Sequence, residues 1–409
     1  MAHKINNKAE LEDFFCHHWN QINDWLDLEQ SKLPQPLTSS VDVRESQFKF
    51  APVDHNMYPA GFNNLCSRDL LHCADRFKEA FQKINPDLKC VGLIPESHTK
   101  NKFYLDHLFK LKSTIEMSGV EVVIFSPEAE LFQESQDGKI QLESQSGYLI
   151  EIFQAQFTNG RFQVKGENKN FDLIVLNNDQ SNPLEINWSE VKVPVLPTPF
   201  VGWYKRQKNL HFKWYQKIAD QFCHNFDIKP DLIQAHFAAV DNVDFNTKEG
   251  LDSLGTEVDR VLSELPKGSS VFVKASQGTY GMGISVVSSG EEIINMNRKV
   301  RNKMDIGKNK LKFTSVLVQE GVETVVKLND APAEVTIYLI NGKSSGGFMR
   351  ANPLKGTQAN LNAQGMIYQK LCLSDIKQDF DHKIKEAVYS VIARLSTLAA
   401  SYEMKELME

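Results

Sequence analysis

A strand that enters a glycine loop and leaves it as another strand permits few folds around it. Residues Val271 to Val287 read Val-Phe-Val-Lys-Ala-Ser-Gln-Gly-Thr-Tyr-Gly-Met-Gly-Ile-Ser-Val-Val, two β-branched runs joined through Gly278, Gly281 and Gly283, with Lys274 in the first run. Such runs favour extended backbone, and a loop lacking Cβ atoms can reach positive φ and bring bare amides against an anion. A polyphosphate suits that loop, with Lys274, Gln277, Gly278, Thr279, Tyr280, Gly281 and Gly283 as its contacts. No Gly-Lys-Ser/Thr follows, so this is not a P-loop. Nor is it the flap of a protein kinase, whose lysine lies on a later strand and whose His-Arg-Asp and Asp-Phe-Gly motifs are missing here. A plain glycine hairpin would leave the same trace, so partner groups elsewhere in the chain decide between the two.

At 409 residues the chain is too long for one ordinary core, and two or three packed units are expected. A net charge of -6 gives no general attraction to nucleic acid or to an anionic membrane. The first residues lack the apolar stretch of a signal peptide and no apolar run is long enough to span a bilayer, which points to a cytoplasmic protein. The six cysteines are scattered without a C-x-x-C, as reduced thiols would be. Cys16-His17-His18 lacks a second ligand pair and reads as part of an amphipathic helix.

Three short apolar runs, Cys90 to Ile94, Val120 to Phe125 and Phe171 to Leu176, predict buried strands of a covered sheet, with a helix over Tyr104 to Met117 as a crossover. Lys139 to Leu142, Tyr148 to Phe153 and Arg161 to Lys165 predict a small antiparallel excursion, local in role. Polar clusters close the first and third runs, and ligands gather at such strand ends in open α/β sheets. Glu96, Thr99, Asn101, Asn177 and Asn178 are therefore substrate candidates, although helix and turn capping would use the same residues. After Pro194, Pro197 and Pro199 a helix follows with Leu210, Trp214, Ile218 and Phe222 on one side. Arg206 at its start is either solvated surface or an anion contact.

The glycine loop belongs to a further unit. Beyond a polar helical stretch from Glu291 to Lys303, the apolar strand Ser315 to Gln319 runs into Glu320-Gly321-Val322. Gln319, Glu320 and Val322 could offer backbone groups to a nucleobase edge and an acid to a ribose. Ala333 to Ile340, the turn Asn341-Gly342 and Ser345 to Met349 predict a hairpin with a type I′ turn. Arg350 leads from it into a donor-rich loop containing Asn360 and Asn362. A final helix, about Phe380 to Tyr402, carries Val388, Val391, Ile392, Leu395 and Leu398 on its buried side.

A lysine before a glycine flap, an acidic hinge, and an arginine hairpin leading to Asn-Leu-Asn together resemble the ATP-grasp ligases, in an order similar to that of glutathione synthetase. Pro52 to Asn64, Ile94 to Asn101, Leu176 to Asp179 and Gly202 to Arg206 make the chain look like the proteobacterial glutamate-cysteine ligase family, over most of its length. The resemblance implies an ATP-dependent ligation of the glutamate γ-carboxylate to the cysteine amine through an acyl phosphate, the first step of glutathione synthesis. Lys274, Arg350, Asn360 and Asn362 would serve the reaction, with Asn63 and Asn64 among the substrate contacts. Another ATP-grasp amino-acid or peptide ligase, or a regulator that binds nucleotide without chemistry, would share much of this pattern.

One departure stands out. ATP-grasp enzymes place magnesium ligands after the hairpin, as an Asp on one strand and Glu-x-Asn on the next, followed by Pro-Gly, and this chain has no such motif there. Asp42, Asp54 and Asn56, followed by Pro59 and Gly61, repeat the pattern near the N-terminus. The expectation is an α/β, ATP-grasp-like, circularly permuted fold with an additional α/β domain carrying a short parallel sheet. Residues 1–65 would complete the ATP and Mg2+ edge, 66–200 would form the substrate domain and 201–409 the ATP-grasp core.

Overall fold

In a computed structural model the chain is described over residues 4–97, 101–167, 169–277, 284–298, 300–301, 315–372 and 380–409, with backbone only for 380–384. Two helices open it, α1 (Lys8–His17), capped by the Asn7 side chain, and α2 (Trp19–Ser31). Strands β1 (Thr38–Glu45) and β2 (Phe50–Asn56) follow as an antiparallel pair. Next come α3 (Ser67–Ile84), β3 (Cys90–Pro95), α4 (Lys102–Glu116), β4 (Glu121–Ser126), β5 (Lys139–Glu143), β6 (Leu149–Thr158), β7 (Arg161–Val164), β8 (Leu173–Asn177) and β9 (Val195–Leu196). The three apolar runs are β3, β4 and β8, paired in parallel as β4-β3-β8. The excursion is more than local, because β6 pairs in parallel with β4 through Phe125 and Phe153 and enlarges the sheet to seven strands. Burial of Ile150 and Ile152 in one core and of Ala155 in another, on the two faces of β6, drives that addition.

Beyond the prolines lie α5 (Lys208–Asn225), β10 (Phe237–Asp241), α6 (Lys248–Ser263), β11 (Val271–Ala275), β12 (Ile284–Val287), α7 (Gly290–Ile294) and β13 (Ser315–Glu320). Their sheet runs β10-β13-β11-β12 and is antiparallel throughout. The two strands flanking the glycine loop thus pair as a hairpin, from Val271 opposite Val287 to Lys274 opposite Ile284. The helix expected over Glu291 to Lys303 breaks after Ile294, and the Asn297 side chain accepts from the Val300 amide at 3.0 Å where a new turn starts.

The last elements are β14 (Lys327–Leu328), β15 (Ala331–Ile340), β16 (Lys343–Ala351), β17 (Ile367–Leu371) and α8 (Phe380–Met408). Asn341 and Gly342, with φ of 48° and 75°, make the predicted turn between β15 and β16. These strands share a sheet with the N-terminal pair, in the order β17-β16-β15-β1-β2, with β14 paired to β15. Alternation then sorts the side chains of that sheet. Val41, Val43, Val335, Ile337 and Leu339 face a core built with α1, α5 and the buried side of α8. On the opposite face Tyr338, Ile340 and Phe348 join a second core with α3 and the parallel sheet. Further along that same face the residues turn polar.

Candidate active site

The polar stretch is made by Ser40, Asp42 and Arg44 on β1, Asp54 and Asn56 on β2, Glu334 and Thr336 on β15, and Arg350 on β16. It walls a cavity of about 340 Å³, closed from the side by Phe272 and Lys274 on β11 and Gln319 on β13. Strand register produces this crowding. Asp42 lies opposite Asp54 on one side and Thr336 on the other, and Glu334 lies opposite Arg350. At the rim Gly61 has φ +102°, and a Cβ there would stand 2.8 Å from the Tyr338 hydroxyl, so that close approach needs glycine.

Cations and carboxylates alternate around the wall. Arg350 Nε donates to Glu334 Oε1 at 3.0 Å and its Nη2 pairs with Asp42, while Arg44 Nε donates to Glu334 Oε2 at 2.9 Å. Lys208, at the start of α5, donates to Asp54 Oδ1 at 2.5 Å, and Thr336 donates to Asp42 Oδ1 at 2.7 Å. Lys274 donates to Gln319 Oε1 at 2.7 Å and to the Val53 carbonyl at 2.9 Å.

Burial and charge compete at each group. For Asp54 burial disfavours the carboxylate, but Lys208 and Lys274 outweigh it and hold its pKa down to about 2. Glu334, buried between Arg350 and Arg44, is likewise lowered to about 2. Asp42 moves up, because burial and the neighbouring Glu334 and Asp54 together exceed the pull of Arg350. Burial lowers Lys274 to about 8 despite the opposing pull of Asp54. The wall can therefore accept an anion at Lys274 and, if a cation displaced Lys208 and Arg350, offer it Asp54 and Asp42.

The structure brings Lys274, Arg350, Asn360, Asn362, Gln319, Glu320, Val322, Asp42, Asp54, Asn56 and Asn64 to this one cavity. Within it the Glu320 carboxylate is tied to Lys49 at 2.8 Å and to the His236 amide at 2.9 Å, and the Val322 carbonyl accepts from Arg44. Asn360 accepts from the Asn362 amide, and Asn56 from the Tyr58 amide. Gln277 ends at the flap but is not among the lining residues. Gly278, Thr279, Tyr280, Gly281, Gly283 and Thr99 lie outside the described residues.

Other candidates are engaged away from the wall. Asn101 caps α4, accepting from the Phe103 and Tyr104 amides. Asn177 is buried, accepting within 2.8 Å of His107 Nε2 and donating to the Pro59 carbonyl, and burial pushes His107 down to about 4. Asn178 donates to the Pro95 carbonyl, Glu96 accepts from the Asp179 amide, and the Asn63 side chain reaches Asn64. Arg206 is 1% exposed and pairs with Glu403, so it is not solvated surface. Wall residues that sequence alone does not single out include Arg44, Glu334 and Thr336. The alternation Glu334, Thr336, Tyr338 inside an apolar strand was the available signal, since a buried acid at such a position needs a cationic partner. Among the described residues no three His, Cys, Asp or Glu side chains gather as a metal site, and no helix is long and apolar enough to cross a membrane. All six cysteines are free.

A mixed α/β protein with a polar cleft of paired cations and carboxylates between two sheets is of the kind that handles charged small molecules. The chain belongs to the glutamate-cysteine ligase family GshA, whose model matches residues 12–404. Among solved structures it is similar to a protein from Methylobacillus flagellatus KT, provisionally named a gamma-glutamylcysteine synthetase and solved at 1.90 Å, with 32% identity and a TM-score of 0.85. That likeness covers 97% of this chain and 96% of the other. D-alanyl-alanine synthetase A from Vibrio cholerae is far more distant, at 14% identity and a TM-score of 0.41 over 75% of this chain and 80% of that one. No curated protein matches the chain.

Proposed function

We propose that the cavity between the sheet that holds β1, β2, β15 and β16 and the four-stranded sheet is the ligation centre of this glutamate-cysteine ligase, which joins the glutamate γ-carboxylate to the cysteine amine and forms γ-glutamylcysteine. The observation that carries the assignment of the site is the convergence of Lys274, Lys208, Arg44 and Arg350 with Asp42, Asp54 and Glu334 around one cavity. ATP would lie with its phosphates near Lys274. Arg350 and the Asn360 to Asn362 turn face the same space and suit the negative charge that builds on the carbonyl oxygen when an amine attacks. Phosphoryl transfer to a carboxylate depends chiefly on position and charge, so no nucleophilic side chain is needed.

The donor set also fits a hard divalent cation. Asp42, Asp54 and Asn56 present oxygens from adjacent strands, and magnesium is held by one or two carboxylates together with phosphate oxygens. Bound there, magnesium would neutralise charge on the transferred phosphoryl group. We read the chain as a circularly permuted ATP-grasp fold, with residues 1–65 supplying the metal edge, 66–200 a substrate domain and 201–409 the nucleotide core. The sheet order β16-β15-β1-β2 supports that reading, since β1 and β2 sit beside the hairpin that such strands would follow.

Phosphate release should be measured with ATP, magnesium, glutamate and cysteine, with product mass determined. Release that needs both amino acids and yields γ-glutamylcysteine is expected. Faster turnover with another amino-acid pair would refute the substrate assignment, and full activity in Asp54→Asn would refute the metal edge.

A further inference from the structure

Asp54 stands immediately after a fault in its strand. The register between β1 and β2 slips from Asp42 opposite Asp54 to Val43 opposite Pro52, which leaves Val53 unopposed. A bulge interrupts the ladder and lets the strand swing, so the direction of Asp54 has to be fixed by something else. Two cations do this by gripping the carbonyls on either side. Lys274 donates to Val53 O at 2.9 Å and Arg206 Nη1 donates to His55 O at 2.8 Å.

Arg206 is itself held from the far end of the chain. Its Nε donates to Glu403 Oε1 at 2.8 Å and its Nη2 to Oε2 at 3.0 Å, a two-pronged pair in which Glu403 is 0% exposed. His55 and His211 stack at 4.7 Å beside the pair, each with Nδ1 near Arg206 Nη2. The guanidinium lies 4.8 Å from the Trp203 ring, and the same ring lies 4.8 Å from the Nζ of Lys208, the lysine paired with Asp54. Arg206 thus touches the supports of Asp54 from behind the strand and from the flank.

We infer that Glu403, near the end of α8, is a positioning residue for the phosphate and metal edge: by fixing Arg206 it fixes the His55 carbonyl and thereby the approach of Asp54 to Asp42. This rests on the ligase reading of the cavity. The helix that closes the hydrophobic core would then also set the geometry of the site.

The experiment is calorimetric titration of a non-hydrolysable ATP analogue, with magnesium and with a chelator, on the whole chain. Glu403→Gln and Arg206→Lys keep polarity and charge respectively but lose the two-pronged pair. Each should weaken binding of the magnesium form about tenfold, the worth of roughly one such hydrogen bond, while binding without metal changes less than twofold. Asp27→Asn is the control, because it breaks a different pair on α8, with Arg394, away from the cavity. It should lower the melting temperature and leave both titrations unchanged. The inference is overturned if Arg206→Lys or Glu403→Gln lowers the melting temperature as the control does yet binds the magnesium form like wild type. Wild-type binding indifferent to magnesium would overturn it together with the metal edge, and that result is distinguishable because it needs no variant.

Discussion

Replacing Lys274 by methionine separates what this lysine does for the fold from what it does for the ligand. Lys274 is 7% exposed, and burial lowers its pKa from 10.5 to about 8. A depression of that size means that carrying the charge costs the protein about 3 kcal/mol. Methionine removes the cost and fills similar space, but it strips a donor from the Val53 carbonyl and from Gln319 Oε1, each worth about 1 to 3 kcal/mol when left unsatisfied. The two effects oppose each other at similar size, so the melting temperature should move by only a few degrees. Nothing offsets the loss toward a nucleotide, where one charge-assisted contact of about 1.5 to 3 kcal/mol vanishes and affinity should fall roughly ten- to more than hundredfold. Thermal unfolding together with calorimetric titration of a non-hydrolysable ATP analogue gives both quantities. Unchanged affinity would remove Lys274 from the site, and a collapse of stability with unchanged affinity would make it a purely structural cation.

The same lysine predicts proton uptake. With its pKa near 8, it should be drawn back up when phosphates arrive, so titration at pH 8.5 in buffers of different ionisation enthalpy should show a proton bound with the nucleotide. Glu334→Gln should destabilise by about 3 to 5 kcal/mol at pH 7, since it leaves Arg44 and Arg350 buried with one carboxylate fewer. Because Glu334 titrates at about 2 when folded and 4.5 otherwise, its contribution is present above about 4.5 and disappears as pH falls toward 2; denaturant unfolding of the variant should lack that part of the acid dependence. Asn101→Ala should cost about 1 kcal/mol of stability through the lost helix cap. A clear rise in the KM for either amino acid with stability intact would show that Asn101 contacts substrate instead.

What the chain announces by itself is local. The β-branched runs around the glycine loop, the three apolar strands with their crossover, and the Asn341-Gly342 turn follow from periodicity and backbone preference, which a short window contains. The spacing of Asp42, Asp54 and Asn56 was also visible, through likeness to a known pattern. What these residues face was not. Only the placing of β1 between β2 and β15 sets Asp42 opposite both Asp54 and Thr336, because pairing between distant segments leaves no trace in either segment alone. The polar clusters at strand ends show the same limit: Asn177 and Asn101 are chemically suited to a ligand, yet one is bonded to His107 of α4 and the Pro59 carbonyl and the other to a helix end. Arg206, which reads as a surface cation or an anion contact, became a buried partner of Glu403 only when α8 packed across the back of β2. Sequence determined which strands, turns and charged groups the protein has, whereas tertiary packing decided which charges meet, since partner choice in a buried network depends on register and on the exclusion of water.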